Sequence, residues 1–140
     1  MKVKSLDEIT GKIRAVKFKN SYDLIVGIGN GGIVPAYLLH SYLGVPVDYV
    51  WISFRDENHK PKGAVPILER FSPPTLETSA WRGKKILVVD DRSNTGATLG
   101  LAKKLLGEAK LVETLVVNGK ADYSLFDEEC FKMPWEMGGV

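Results

Sequence analysis

The chain contains little of what disulfide-bonded, zinc-binding and membrane-spanning proteins are made of. Among its 140 residues there are one cysteine, Cys130, and two histidines, His40 and His59. An internal disulfide is therefore impossible, and no zinc-ligand spacing occurs. Apolar runs are a few residues long, whereas a helix that crosses a bilayer needs about 20 apolar residues. We therefore predict no membrane span.

A strong charge of one sign is also missing. Lysine and arginine together number 19, and aspartate and glutamate 17, so the net charge is +2. The two signs are interspersed, which predicts no nucleic-acid partner. The first ten residues lack the apolar core of a secretory signal. Together with the single cysteine, these features favour a cytoplasmic protein that handles a small molecule.

What the chain does have is an alternation of short apolar runs and helical patterns over a length that fits one domain, residues 1–140. The pattern predicts a first helix after Ser5, a second near Pro35 that stops at Gly44, and a third over 95–106. It predicts strands at 22–27, 47–53, 85–90 and 111–117. This order is typical of an α/β fold with a doubly wound parallel sheet.

Two stretches fall outside this alternation. Residues 54–82 are charged and rich in turn formers, which predicts a flexible loop or hairpin excursion. A long excursion from a compact domain is often functional. Residues 118–140 are predicted to be an irregular tail that forms a small C-terminal hood.

A glycine-rich loop follows the first predicted strand, with the sequence Gly27-Ile28-Gly29-Asn30-Gly31-Gly32. Such a loop lets backbone amides approach an anion closely, and the helix behind it favours negative charge. The string also matches the G-x-G-x-x-G pattern of dinucleotide-binding proteins. That pattern calls for an acidic residue at the end of the second strand, but Asp48 opens this strand instead.

A second polar segment, 90–98, follows the predicted strand at 85–90 and reads DDRSNTGAT. The adjacent carboxylates of Asp90 and Asp91 can accept hydrogen bonds from the hydroxyls of a sugar diol, and Mg²⁺ can bind nearby. The small, hydroxyl-rich residues after them lead into a helix and can surround a phosphate. Because ligands of such sheets bind beyond the carboxyl ends of the strands, the segment predicts a site for a phosphorylated ribose.

These motifs resemble those of a known family. The string ILVVDDRSNTGATL resembles the phosphoribosyl-diphosphate motif of the type I phosphoribosyltransferases, and VGIGNGGIVPAYLL is similar to their diphosphate loop. The tail string MPWEMGG is similar to a segment of the xanthine-guanine and hypoxanthine enzymes of bacteria and archaea. The resemblance covers residues 22–138, and the motifs follow one another in the same order as in the family. It implies transfer of a 5-phosphoribosyl group from phosphoribosyl diphosphate to a purine base, in a homo-oligomer.

The resemblance also implies roles for individual residues. Asp90 and Asp91 would hold the ribose hydroxyls and Mg²⁺, and with Asn94 they form the predicted catalytic set. The predicted ribose-phosphate residues are Asp90, Asp91, Ser93, Asn94, Thr95, Gly96, Ala97 and Thr98. The predicted diphosphate residues are Gly29, Asn30, Gly31, Gly32 and Arg70. The predicted base-binding residues are Asn118, Lys120, Trp135 and Glu136.

Two positions depart from the family pattern. The family usually has aspartate where this chain has Asn94, and that aspartate handles the proton at the purine ring nitrogen. An amide cannot accept this proton, and general acid–base help is worth about 10²–10⁴ in rate. The purine enzymes also usually carry lysine where this chain has Asn118, with Lys120 two residues further on. Both changes affect the half of the site that would bind the base.

The sequence therefore leaves two hypotheses of different classes, besides the dinucleotide enzyme suggested by the glycine pattern alone. The first is a phosphoribosyltransferase that acts on xanthine, guanine or hypoxanthine. The second is a catalytically weak or inactive module that binds a nucleotide or phosphoribosyl diphosphate for regulation. Asn94 and Asn118 are the observations that motivate the second.

Overall fold

A computed structural model describes residues 2–53, 67–72, 81–93 and 95–138. A six-stranded sheet forms its centre, with the strands in the order β3-β2-β1-β4-β5-β6. The strands are β1 (Leu24–Gly29), β2 (Val47–Ser53), β3 (Ile67–Ser72), β4 (Lys85–Ser93), β5 (Leu111–Gly119) and β6 (Tyr123–Phe126). Neighbouring strands run parallel except β3, which pairs antiparallel with β2. The predicted α/β class and sheet are confirmed.

Three helices accompany these strands: α1 (Leu6–Ala15), α2 (Ile33–Leu43) and α3 (Ala97–Leu105). The side chain of Ser5 accepts a hydrogen bond from the Glu8 amide, and the Glu8 side chain accepts one from the Ser5 amide, so the predicted capping box is present. Helix α2 begins two residues before Pro35. Proline is tolerated there because an amide in the first turn has no partner within the helix.

The core lies on both faces of the sheet, as a doubly wound fold requires. On one face, Leu87 and Val89 of β4 belong to a buried cluster with residues of α1 and α2. On the other face, Ile86 and Val88 belong to a cluster with residues of α3. Successive side chains of β4 thus alternate between two buried layers, which explains its unbroken apolar sequence.

The ends of several predicted elements differ from the structure: β1 spans Leu24–Gly29 instead of 22–27, and β5 continues to Gly119 instead of ending at residue 117. Strand β4 continues three residues beyond the predicted end, because the pairing with β5 goes on through Arg92 opposite Asn118 and Ser93 opposite Gly119. Helix α3 begins at Ala97 instead of residue 95, since Gly96 adopts the left-handed conformation at its N-cap, with φ of 78°. The excursion after β2 includes an antiparallel partner strand, β3, which confirms the hairpin interpretation.

The prediction of a wholly irregular tail is wrong. Strand β6 extends the sheet in parallel with β5, and it buries Tyr123 and Leu125 while Ser124 is exposed. Four residues give too short an alternation to stand out in the sequence. Further on, Lys132 pairs with the N-terminal segment, since Lys4 donates its amide hydrogen to the Lys132 carbonyl oxygen at 3.1 Å. In the described part of the chain, no helix has the length and apolarity to span a membrane.

Candidate active site

The predicted site segments meet at one edge of the sheet, where the parallel strands β1, β4 and β5 end. Ser93 of β4 pairs with Gly119 of β5. A Cβ atom at Gly119 would collide with the carbonyl oxygen of Ser93, and Gly119 has a φ of 127°. Only glycine satisfies both conditions without strain. The ends of the two strands therefore approach each other closely beside Asp90 and Asp91, the acidic segment.

The glycine loop packs directly against this acidic segment. A Cβ atom at Gly31 would collide with the carboxyl group of Asp91, and one at Gly32 would collide with the carbonyl oxygen of Val89. The peptide bond between Gly29 and Asn30 is cis. The predicted diphosphate loop and the predicted ribose-binding acids thus lie in contact, on neighbouring strands.

The two adjacent aspartates have different environments. Asp90 is 8% exposed, and its carboxylate accepts a hydrogen bond from the Asp91 amide at 2.8 Å. Burial, followed by the nearby charge of Asp91, raises the pKa of Asp90 well above its usual value. Asp91 is paired with a cation, because Arg92 Nη1 lies 3.0 Å from its Oδ2 atom. The edge of the sheet thus presents one buried acid and one paired acid.

Arg92 connects Asp91 to the C-terminal segment. Its Nη2 atom donates hydrogen bonds to the carbonyl oxygen of Phe131, at 2.7 Å, and to the Glu136 carboxylate. Glu136 also accepts a hydrogen bond from the Met133 amide at 2.8 Å. Burial alone would raise the pKa of Glu136, but the bonds from Arg92 and Met133 outweigh it and lower the pKa. Glu136 is therefore a structural partner of Arg92, whereas its predicted contact with a base stays a prediction.

The predicted phosphate segment leads into the N-terminus of α3. The Ala97 amide donates to the Thr95 hydroxyl at 3.2 Å, and Thr95 is exposed while Thr98 is half-buried. The first amides of a helix lack partners within the helix, so they are available to an anion. Asn94 lies outside the described residues, and its catalytic role stays a prediction.

A cleft of about 300 Å³ opens beside the ends of β4 and β5. It contains two of the four predicted base-binding residues, Asn118 and Lys120. Its lining residues are Arg92, Ser93, Asn118, Gly119, Lys120, Asp127, Glu128 and Cys130. The cleft carries both acidic and basic side chains, and it lies on the side of the acidic segment away from the glycine loop.

Three of the four predicted base-binding residues, Asn118, Lys120 and Trp135, contact other parts of the protein. The Asn118 amide group is bonded to the backbone of Glu128, donating to its carbonyl oxygen at 3.1 Å and accepting from its amide at 3.0 Å. Lys120 is exposed and pairs with Asp127 at 2.7 Å. Trp135 packs against the core cluster of α1 and α2. Its ring nitrogen is buried without a hydrogen-bond partner among the residues that the structure describes.

Two residues at the site had no assigned role in the sequence. Trp51 of β2 donates a hydrogen bond from its ring nitrogen to Asn30 at 2.9 Å, and its ring blocks any Cβ at Gly29. On the next strand, Arg70 pairs with Trp51 in register, which brings the backbone of this predicted diphosphate residue to the same part of the sheet. The second residue without an assigned role is Arg92. Its position directly after two acids is the sequence signal that could have identified it.

Comparison with known proteins identifies the family. The phosphoribosyl transferase domain model matches residues 3–137. The chain is similar to a purine phosphoribosyltransferase from Pyrococcus horikoshii (TM-score 0.78, 24% identity, 99% of this chain and 95% of that one). It is also similar to a Helicobacter pylori xanthine-guanine-hypoxanthine phosphoribosyltransferase (0.71, 19%, 97% and 92%). A third similar structure is a Neisseria gonorrhoeae protein with bound ppGpp (0.68, 23%, 96% and 89%).

These matches cover nearly the whole chain, including the glycine loop, the acidic segment and the tail. They confirm the predicted resemblance, whereas the binding of diphosphate by the glycine loop stays a prediction. The chain therefore belongs to the phosphoribosyl transferase domain family, as a pentosyltransferase enzyme with the type I phosphoribosyltransferase fold.

Proposed function

We propose that the protein transfers the 5-phosphoribosyl group from phosphoribosyl diphosphate to a purine base, namely xanthine, guanine or hypoxanthine, and releases diphosphate. The observation that carries this proposal is the contact of Gly31 with the Asp91 carboxyl group, at the edge where α3 begins. This contact joins a loop suited to diphosphate with acids suited to a ribose diol. The names of the similar purine enzymes favour a purine as the acceptor.

The residues present fit a magnesium ion that is shared with the substrate. The described residues hold no group of three or more potential ligands that would form a cage from protein atoms alone. Mg²⁺ usually binds through one or two carboxylates together with substrate phosphates and water. Asp90 and Asp91 supply such a pair, and Gly31 brings the glycine loop against Asp91. When bound, the ion would neutralise charge on the diphosphate.

The chain's own residues then divide the work between binding and charge stabilisation. Asp90 and Asp91 accept hydrogen bonds from the ribose hydroxyls, and the amides at the start of α3 bind the 5-phosphate. The amides of the glycine loop stabilise negative charge on the departing diphosphate, which is the larger contribution to rate in a reaction of this kind. The cleft beside Asn118 receives the base, whose ring nitrogen attacks the anomeric carbon.

The test is an assay of the purified protein with phosphoribosyl diphosphate, Mg²⁺ and a panel of purine and pyrimidine bases. We expect diphosphate and a nucleoside monophosphate to form in equal amounts with at least one purine. Asp91→Asn is the matched variant, because its amide oxygen still accepts a bond from Arg92 but no longer carries charge. Absence of diphosphate release with every base would overturn the proposal.

A second candidate function rests on Asn94. With an amide in place of the family's acid, the protein would bind a nucleotide or phosphoribosyl diphosphate and turn it over slowly or not at all. Calorimetry with nucleoside monophosphates, phosphoribosyl diphosphate and ppGpp distinguishes the two candidates. Tight binding without diphosphate release favours the regulatory module, and product formation with any base favours the enzyme.

A further inference from the structure

Arg92 holds both oxygen atoms of the Asp91 carboxylate. Its backbone amide donates to Oδ1 at 2.7 Å, and its Nη1 atom donates to Oδ2 at 3.0 Å. A carboxylate bonded at both oxygens by one residue has little freedom to rotate. The orientation of Asp91 toward Gly31 therefore depends on where the Arg92 side chain lies.

The position of that side chain is set by the C-terminal segment, residues 131–136. Arg92 Nη2 bonds to Phe131 and to Glu136, which lie 39 and 44 residues further along the chain. The side chains of Arg92, Asp91 and Glu136 are 26%, 17% and 16% exposed. Ion pairs shielded to this extent are screened less by water and salt than exposed ones.

The segment that Arg92 holds is itself anchored in the core. Phe131 and Met133 are fully or almost fully buried, at 0% and 1% exposure. A displacement of Arg92 must therefore move either Asp91 or a well-packed part of the tail. The guanidinium group is a rigid fork that bonds several acceptors at once, which a lysine ammonium cannot do with the same geometry.

We propose that Arg92, supported by Glu136, is a positioning residue that orients Asp91 and couples phosphoribosyl binding to the C-terminal segment 131–136. The coupling to binding rests on the proposed function, because it assumes that Asp91 contacts the ribose. It also works in the opposite direction, since reciprocal linkage requires that a ligand on Asp91 stabilises the segment.

The experiment compares the wild type with Arg92→Met, Arg92→Lys, Glu136→Ala and Glu136→Gln. Arg82→Met is the matched control, because Arg82 forms an exposed pair with Glu108 at 2.9 Å, with exposures of 65% and 57%. Two quantities are measured for each protein. They are amide hydrogen exchange of residues 131–136, with and without phosphoribosyl diphosphate and Mg²⁺, and the KM values and kcat of the transfer reaction.

We expect Arg92→Met and Glu136→Ala to speed exchange in 131–136 and to raise the KM for phosphoribosyl diphosphate about tenfold or more, since small misplacements of a binding group are costly. The double variant Arg92→Met/Glu136→Ala is measured as well, and the effects of its two substitutions on KM are expected to be non-additive. Arg92→Lys keeps the positive charge, but its KM for phosphoribosyl diphosphate should still be higher than that of the wild type. Glu136→Gln still offers an oxygen to Arg92 and Met133, so exchange in 131–136 should stay close to the wild-type rate. Arg82→Met should change neither quantity.

The inference is overturned if the KM of Arg92→Met stays within about twofold of the wild-type value, or if Arg92→Lys has the wild-type KM. It is also overturned if amide exchange in 131–136 is unchanged in Arg92→Met. A wild type that binds no phosphoribosyl diphosphate overturns the proposed function and the binding half of the inference together. In that case hydrogen exchange of the unliganded variants still decides whether Arg92 holds the segment. Normal wild-type binding combined with unchanged exchange overturns the inference alone.

Discussion

At the scale of single residues, the segment proposed to bind ribose matches the family pattern, while two positions proposed to act on the base depart from it. Asp90, Asp91 and the segment into α3 carry the groups that the chemistry requires, and Gly31 fits against Asp91. Asn94 and Asn118 are the exceptions. Asn118 is buried and bonded to the backbone of Glu128. Its replacement of the family's lysine is thus accompanied by a local structural role.

The Asn94→Asp variant tests whether a missing acid limits turnover. A carboxylate at this position can take the proton from the base, so we expect kcat to rise by about 10²-fold or more. The KM for phosphoribosyl diphosphate should change little, because the phosphate-binding amides remain. Steady-state kinetics with the preferred purine measures both constants. An unchanged kcat would show that another step limits the reaction.

The Gly31→Ala variant tests the contact between the glycine loop and the acidic segment. The added Cβ would overlap the Asp91 carboxyl group, so either the loop or the acid must move. We expect binding of phosphoribosyl diphosphate to weaken at least about tenfold, measured by calorimetry with Mg²⁺. Gly100→Ala is the control. It lies within α3 with no atom within 4 Å of its added Cβ, and it should stabilise the helix by up to about 1 kcal/mol.

At the scale of elements, local sequence signals explain the helices better than the strand ends. Helix α1 begins where Ser5 and Glu8 form their reciprocal bonds, and α2 ends at Gly44, which has a φ of 69°. The ends of β4 and β5 depend instead on their mutual pairing. Such pairing extends a strand through polar residues that have no local preference for it.

Ser5→Ala removes the capping bond to the Glu8 amide. We expect the free energy of unfolding to fall by about 1 kcal/mol, the usual cost of losing an N-cap side chain. Urea denaturation measures the loss. Activity should be unchanged at a temperature where both proteins are folded, because the Ser5 side chain bonds to the Glu8 amide and is not among the residues that line the cleft. Ser5→Asp, which also caps helices well, should restore most of the stability. A loss with Ser5→Asp as large as with Ser5→Ala would count against the capping explanation.

At the scale of the whole molecule, a polar cluster links the segment before β1 to the starts of β5 and β6. The Glu113 carboxylate accepts hydrogen bonds from Tyr22 at 2.6 Å, Asn20 at 2.9 Å and Tyr123 at 3.2 Å. Burial tends to raise the pKa of Glu113, but these bonds outweigh it and lower the pKa below its usual 4.5. The ionised form is therefore the one that stabilises the fold.

The pH dependence of stability follows from this sign. A carboxylate whose pKa is lower in the folded state contributes stability above its unfolded pKa and loses it as the pH falls through the folded value. We expect the wild type to lose part of its advantage over Glu113→Gln as the pH falls below about 4.5. Urea midpoints measured for both proteins from pH 7 to pH 3 test this. A constant difference across the range would contradict it.

Much of the fold was predictable because its signals are local. The capping box of α1, the glycine after α2 and the apolar runs of β1, β4 and β5 each depend on neighbouring residues. Strand β6 was not predictable, since its four residues gain their conformation from pairing with β5 and from burying Tyr123 and Leu125. The glycine loop and the adjacent acids of the candidate site were also visible in the sequence, because each consists of contiguous residues, whereas the ligands proposed for them stay predictions.

The amino-acid sequence by itself determined which chemical groups the protein has: a glycine loop, two adjacent acids and a hydroxyl-rich turn into a helix. Only the tertiary structure decided how they work together. It placed Gly31 against Asp91, bonded Asn118 to Glu128, and joined Arg92 to Glu136 across 44 residues. These contacts form between distant parts of the chain, and they exist because the parallel strands end at one edge where the tail returns. The spacing of residues along the sequence does not predict such contacts.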